Sequence, residues 1–162
     1  RSGFVTAGWQ TPYKRIDLAV ADCTLAHLPL KVIGRGPDHE KLKAMAGPTI
    51  EFLTDVSDKD MPAHFASAKA FVFPNEDDFG IVPVEAMATG TPVVAYKKGG
   101  ALDYVVEGKT GIFFTHQGAQ LLAETLKKAE RTPWKERVIS AHAAHFSTKE
   151  FKRKMKDIIA SL

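Results

Sequence analysis

The sequence predicts an α/β fold, a doubly wound parallel sheet of about six strands with helices on both faces. Three observations lead there. Short β-branched and aromatic runs alternate with longer helical patterns along the chain. The run AFVFP at 70–74 is apolar throughout, as a strand covered on both faces must be. The glycine-rich and charged turns 8–15, 34–37, 74–80 and 97–101 each follow a predicted strand. They therefore gather at the carboxyl ends of the sheet, where such folds hold ligands.

FVTAG (4–8) is the first strand, and KRIDLAVADCTLAH (14–27) is a helix with apolar residues at 16, 19, 20 and 23. LKVIG (30–34) is the second strand, closed by Gly34 and Gly36, with a helix over 38–46 after Pro37. IEFL (50–53) is the third. The helix at 58–68 takes Ser57 or Asp58 as its cap and carries Pro62 near its first turn. After the strand at 70–74, a helix at 81–89 stops at Gly90. PVVAY (92–96) is the fifth strand, 101–107 a short helix and GIFF (111–114) the sixth strand. Helices at about 118–130, 134–145 and 148–161 complete a single domain over 1–162.

Composition excludes more than it selects. A formal net charge of +3 is too small to argue for nucleic acid. The single cysteine, Cys23, rules out an internal disulfide and suits a reducing compartment; its apolar helix face makes it a core residue. No apolar run reaches the roughly 18 residues of a membrane span. The chain begins at Arg1 with no Met, which reads as a piece of a longer protein. His142 and His145 are two ligands without a third, so no metal is expected.

The loop chemistry points to a phosphorylated ligand. Gly80 lets backbone approach a ligand, and the helix after it directs free N–H groups to the same place, which favours an anion. Lys14, read as the start of the first helix, adds a point positive charge, and Gly34-Arg35-Gly36 a flexible turn with a guanidinium. Neither G-x-x-x-x-G-K-[ST] nor a G-x-G-x-x-G after the first strand is present, which excludes a P-loop and argues against an ordinary dinucleotide site. Carboxylates repel phosphates but accept hydrogen bonds from diols. Asp77 in the loop and Glu85 in the helix, both expected to face the crevice, therefore suit polyols. Phosphates held between two polyols describe a sugar nucleotide.

The segment EDDFGIVPVEAMATGTPVVAYKKGGALDYVVEGKTGIFF (76–114) closely resembles the donor-binding domain of retaining GT-B glycosyltransferases of family four, also called group one. The family signature is a Glu, seven residues, a second Glu, then Ala-Met-Ala-x-Gly-x-Pro. TPYKRIDLAV (11–20) and LKVIGRGP (30–37) match earlier landmarks in order, and the resemblance covers about residues 4–130. It implies a Rossmann-like half of a GT-B architecture. Lys14 would neutralise the donor diphosphate, Asp77 would hold sugar hydroxyls and Glu85 the ribose diol. Backbone at Phe79, Gly80 and Ile81 would contact sugar and phosphates. Gly34, Arg35, Gly36 and the Asp55-Val56 turn would lie near the base. The neighbouring Glu76 and Asp78 read as a solvated turn rather than a metal cluster.

Two departures stand out. The first signature Glu is Asp77, one methylene shorter. Trp9 stands where many relatives carry an Arg, with Arg15 or Arg35 as candidate substitutes. The implied function is binding of a nucleotide diphosphate sugar, GDP-mannose or a UDP-sugar, for retaining transfer of a hexose to a glycan or lipid-linked acceptor. No cofactor is implied. The acceptor-binding N-terminal domain would be missing, the helix at 148–161 would pack toward it, and the isolated piece would be inactive. A cytoplasmic location is expected, with the basic run Lys149, Lys152, Arg153, Lys154 and Lys156 able to meet the inner face of an anionic membrane. The alternative is a stand-alone sugar-nucleotide-binding or regulatory module without transferase activity.

Overall fold

The computed structural model describes residues 1–118 and 120–161. Six strands form one parallel sheet: β1 (Phe4–Ala7), β2 (Leu30–Ile33), β3 (Ile50–Leu53), β4 (Ala70–Phe73), β5 (Val93–Tyr96) and β6 (Gly111–Phe114). Their order is β3-β2-β1-β4-β5-β6. Phe4 is in register with Leu30 on one side and Ala70 on the other. The chain winds outward from β1 to β3, returns to set β4 beside β1, and winds outward again to β6. The loops after β1 and β4 therefore part at a topological switch point, which opens a crevice between them.

Strand residues alternate between two cores. Phe4, Val32, Ala70, Val72, Val94 and Ile112 pack with residues of α1 (Ile16–Leu25), α2 (His39–Met45) and α6 (Leu121–Arg131). Val5, Ile33, Phe71, Phe73, Val93 and Ala95 pack with α3 (Met61–Ser67), α4 (Ile81–Ala88), α5 (Ala101–Tyr104) and α7 (Glu136–Ala143). Successive side chains of a strand point to opposite faces, so adjacent Phe71 and Val72 serve different cores. All four residues of β4 are buried, which is why that run carries no polar residue.

Several boundaries differ from the sequence reading, each for a local reason. Lys14 does not begin α1. It ends a 3-10 turn over Pro12–Lys14, closed by the Lys14 N–H on the Thr11 carbonyl at 3.1 Å. Arg15 then takes a left-handed conformation, φ 50°, and α1 starts at Ile16. Neither Ser57 nor Asp58 caps α3. The Ser57 hydroxyl donates to the Asp60 carboxylate at 2.6 Å and the Asp60 N–H to the Ser57 carbonyl at 2.9 Å, so residues 57–60 form a turn and the helix waits until Met61. α5 stops at Tyr104 because the Thr110 hydroxyl takes the Val106 N–H at 2.8 Å. α7 gives way to a 3-10 turn over Ala144–Phe146. α8 (Thr148–Ala160) follows, its first turn closed by Glu150 N–H donating to the Ser147 hydroxyl at 3.3 Å. The start predicted for α6 spans residue 119, outside the described residues; the helix begins at Leu121.

One buried acid locks α1 to α6. Asp22 is 2% exposed and its carboxylate accepts from the N–H groups of Gln120 and Ala123 at 3.1 and 3.2 Å. That caps α6 from another helix and suits its positive end. Beside it, burial and the Asp22 charge push the Cys23 thiol up to about 12, so the cysteine is inert core, as its helix face predicts. Among the described residues no helix is long and apolar enough to cross a membrane.

Candidate functional site at the sheet switch point

The crevice between the β1 and β4 loops is a cavity of about 340 Å³. Gly8, Trp9, Tyr13 and Lys14 come from the first loop, and Asn75, Asp77 and Gly80 from the second. Its centre is an ion pair between the Lys14 ammonium and the Asp77 carboxylate, each side chain about a quarter exposed. The Lys14 hydrogen bond, helped by its charge, holds the Asp77 carboxyl below the usual carboxylate range against the opposing effect of burial. Smaller contributions come from the Asp78 N–H at 3.1 Å and the Asn75 side-chain amide at 3.5 Å. Asn75, 2% exposed, also donates to the Glu76 carbonyl at 3.2 Å and is a site-shaping residue that sequence reasoning passed over as part of the loop.

The acidic loop is held from beneath. The Gly100 N–H donates to the Asp77 carbonyl at 2.8 Å. A side chain at Gly100 would put its Cβ 2.3 Å from the Phe79 Cα, so the predicted turn at 97–101 is a support packed against the site loop. Gly80 precedes α4 with φ 81°, a conformation that favours glycine, and no side chain among the described residues caps the helix. The first-turn N–H groups of Ile81 and Val82 have no carbonyl of the helix four residues back, and Pro83 has no N–H at all. An uncapped positive helix end thus faces the same cavity as the Lys14 ammonium.

The remaining predicted residues separate into two groups. Glu85, expected in the crevice, is exposed on α4 and lines a second groove of about 990 Å³, formed with α7, the turn after it and α8. Phe79 lines that groove too, and Ile81 belongs to both spaces. One helical turn separates Ile81 from Glu85, so they share a face that runs from one cavity into the other. Gly34, Arg35, Gly36 and Val56 line neither. Arg35 reaches the Asp55 carboxylate at 2.5 Å and the Thr54 carbonyl at 3.2 Å, joining the β2 and β3 loops. Val56 packs partly buried on the second core. Gly34 and Gly36 let the β1 loop lie against them, since a Cβ at Gly34 would stand 2.2 Å from the Gly8 carbonyl oxygen. Arg15 is held by Gln117 at 2.9 Å and Asp17 at 3.2 Å. Neither Arg15 nor Arg35 lines the cavity that holds Lys14.

Sequence reasoning missed Gln10. It is fully buried, its amide donates to the Gly34 carbonyl at 2.8 Å, and its amide oxygen meets the His39 ring nitrogen at 2.7 Å. A glutamine directly after an exposed residue carries no sequence signal, because its partners lie on other elements.

Comparison with known proteins decides the family. The profile described as Glycosyl transferases group 1 matches residues 4–146. The chain belongs to the group 1 glycosyltransferases. Among its relatives, the phosphatidyl-myo-inositol mannosyltransferase of Mycobacterium leprae is 37% identical over 120 residues, 70% of this chain and 32% of that protein. The GDP-mannose-dependent alpha-mannosyltransferase of Mycolicibacterium smegmatis is 33% identical over 117 residues, 72% of this chain and 30% of that one. This group 1 chain therefore aligns with about a third of each of these relatives. Sucrose-phosphate synthase from Thermosynechococcus elongatus superposes with a TM-score of 0.84 at 23% identity, covering 99% of this chain and 45% of that one. Anabaena HepE in complex with UDP and glucose does so at 0.80 and 22%, covering 99% and 49%. Those two likenesses establish the GT-B domain fold.

Proposed function

We propose that this group 1 domain is the donor-binding half of a retaining glycosyltransferase. It takes a nucleotide diphosphate sugar, with GDP-mannose favoured, and serves hexose transfer to a glycan or lipid-linked acceptor. The observation that carries the reading is the Lys14–Asp77 pair beneath the uncapped N-terminus of α4 at the switch point. Each half of the pair answers one part of such a ligand. The diphosphate takes the Lys14 ammonium and the N–H groups of Ile81 and Val82, and Asp77, released, accepts hydroxyls of the sugar. The shared face of Ile81 and Glu85 leads from the phosphates toward the ribose, whose diol Glu85 accepts. Gly34, Arg35, Gly36 and Val56 serve the base as the loops beyond, and Phe79 borders the groove.

The protein's contribution to transfer is positioning and charge stabilisation of the leaving diphosphate, with no nucleophile required from the chain. The preference for mannose draws on relatives named as GDP-mannose-dependent mannosyltransferases. The acceptor-binding half lies outside this chain, α8 packs toward it, and the domain alone is inactive. The basic face of α8 meets an anionic membrane in the whole protein. Calorimetric titration of the 162-residue chain with GDP, UDP, ADP and their sugars tests the reading. Binding of a diphosphate nucleotide is expected; a folded chain that binds none at millimolar concentration refutes it.

A further inference from the structure

We propose that Trp9 is a stacking platform for the donor's hexose ring, and that, beside Asp77, it supplies most of the difference in affinity between a nucleoside diphosphate and the corresponding nucleotide sugar. The inference rests on the donor-site reading above. Trp9 is 58% exposed and lines the switch-point cavity beside Lys14 and Asp77. Its exposure is enforced by the backbone. The Gly8 N–H donates to the Ile33 carbonyl at 3.0 Å. The Gln10 N–H donates to the Arg35 carbonyl at 2.9 Å, and the Gln10 carbonyl accepts from Asp38 at 3.0 Å. With the Gln10 side chain fully buried, the residues on both sides of Trp9 are pinned, and the indole is presented outward.

The surroundings fit a sugar ring. A pyranose has an apolar face of C–H groups and a rim of hydroxyls; an aromatic face suits the first and a carboxylate the second. Trp9 and Asp77 place both on one cavity. Tyr13, 61% exposed on the same cavity, already has the Lys14 ammonium 5.0 Å from its ring centroid. The indole is thus the cavity's other exposed aromatic face, open to a neutral partner. An Arg at position 9 would instead meet the diphosphate, so this chain exchanges a phosphate contact for a sugar contact.

The test compares the chain with Trp9→Ala and Trp9→Phe by calorimetry against GDP, GDP-mannose, UDP and UDP-glucose. Substitution at an exposed side chain leaves the fold intact. The sugar nucleotide is expected to bind about tenfold more tightly than its diphosphate. Trp9→Ala removes most of that advantage while changing diphosphate affinity less than about twofold, and Trp9→Phe keeps most of it. Fluorescence provides a second readout. The other tryptophan, Trp134, is half-buried with its indole N–H on the Ala129 carbonyl at 2.8 Å, so a sugar-dependent signal lost in Trp9→Phe belongs to Trp9. Equal weakening of GDP and GDP-mannose by Trp9→Ala would mean stacking on the base, and an unchanged sugar advantage would mean no stacking; either overturns the inference alone. A Trp9 signal with methyl α-mannoside plus GDP, but not with GDP-mannose, would put an acceptor ring there and overturn the donor assignment. Failure of every nucleotide to bind would overturn the donor-site reading as well.

Discussion

Lys14→Gln separates what the central ion pair does for folding from what it does for binding. The substitution keeps the stem length and removes the charge facing Asp77. At an effective dielectric near 20, unit charges about 4 Å apart attract by about 4 kcal/mol before costs. Both side chains are about a quarter exposed, so solvent and salt screen the pair and its ordering entropy opposes it. A net stability loss of about 1 kcal/mol follows, or roughly 2–4 °C in Tm for a chain of this size. Binding responds more strongly. A diphosphate gains charge-assisted hydrogen bonds from the ammonium worth about 3 kcal/mol, less about 1 kcal/mol for breaking the pair with Asp77. The remaining 2 kcal/mol corresponds to roughly 30-fold weaker nucleotide binding.

Calorimetry with GDP and UDP measures the second effect, and urea unfolding the first. The acid limb supplies a further check. Lys14 lowers the Asp77 carboxyl, so its contribution to stability is full above the ordinary value of 3.8 and is lost as pH falls through the lowered one. The stability gap between the chain and Lys14→Gln should therefore close at acid pH. Unchanged nucleotide affinity in a folded variant, or a stability loss above about 3 kcal/mol, would refute the reasoning, because the pair would then be structural.

Three other changes probe the surroundings. Glu85→Ala should weaken nucleotide binding without lowering the Tm, since the side chain is exposed; unchanged affinity in calorimetry removes it from the ribose site. Gly100→Ala drives a Cβ to within 2.6 Å of the Asp78 carbonyl oxygen and 2.3 Å of the Phe79 Cα, so it should cost about 1–3 kcal/mol in urea unfolding and weaken nucleotide binding together. The Tyr104 hydroxyl is buried with no hydrogen-bond partner among the described residues, beside Gly80. Tyr104→Phe should raise stability by about 1 kcal/mol at constant denaturant slope; a loss would reveal a partner for that hydroxyl.

The sequence determined the elements, because their causes are local. A strand buried on both faces reads as an apolar run: 70–74 extends one residue beyond β4. Gly90 and the β-branched pair Val93-Val94 were equally legible, and the signature acids picked out the loop at Asp77. Boundaries at Lys14, Ser57 and 105–107 shifted because short side-chain and backbone hydrogen bonds, each worth about 1 kcal/mol, compete with a helical turn and leave no periodic trace.

What those residues meet depends on contacts between elements far apart in the chain. Strand order places β4 against β1 across 62 intervening residues (8 to 69), and that pairing brings Lys14 to Asp77 and makes a crevice of two loops. It also sent Glu85 into a neighbouring groove, because the helix face it occupies turns toward α7 and α8, and it tied Arg35 to Asp55. Gln10, unremarkable as a letter, became the buried clasp that fixes the direction of Trp9. Hydrophobic periodicity reports which side of an element is covered; which charges and hydroxyls then face one another depends on contacts between distant elements, and these exist only once the sheet is assembled.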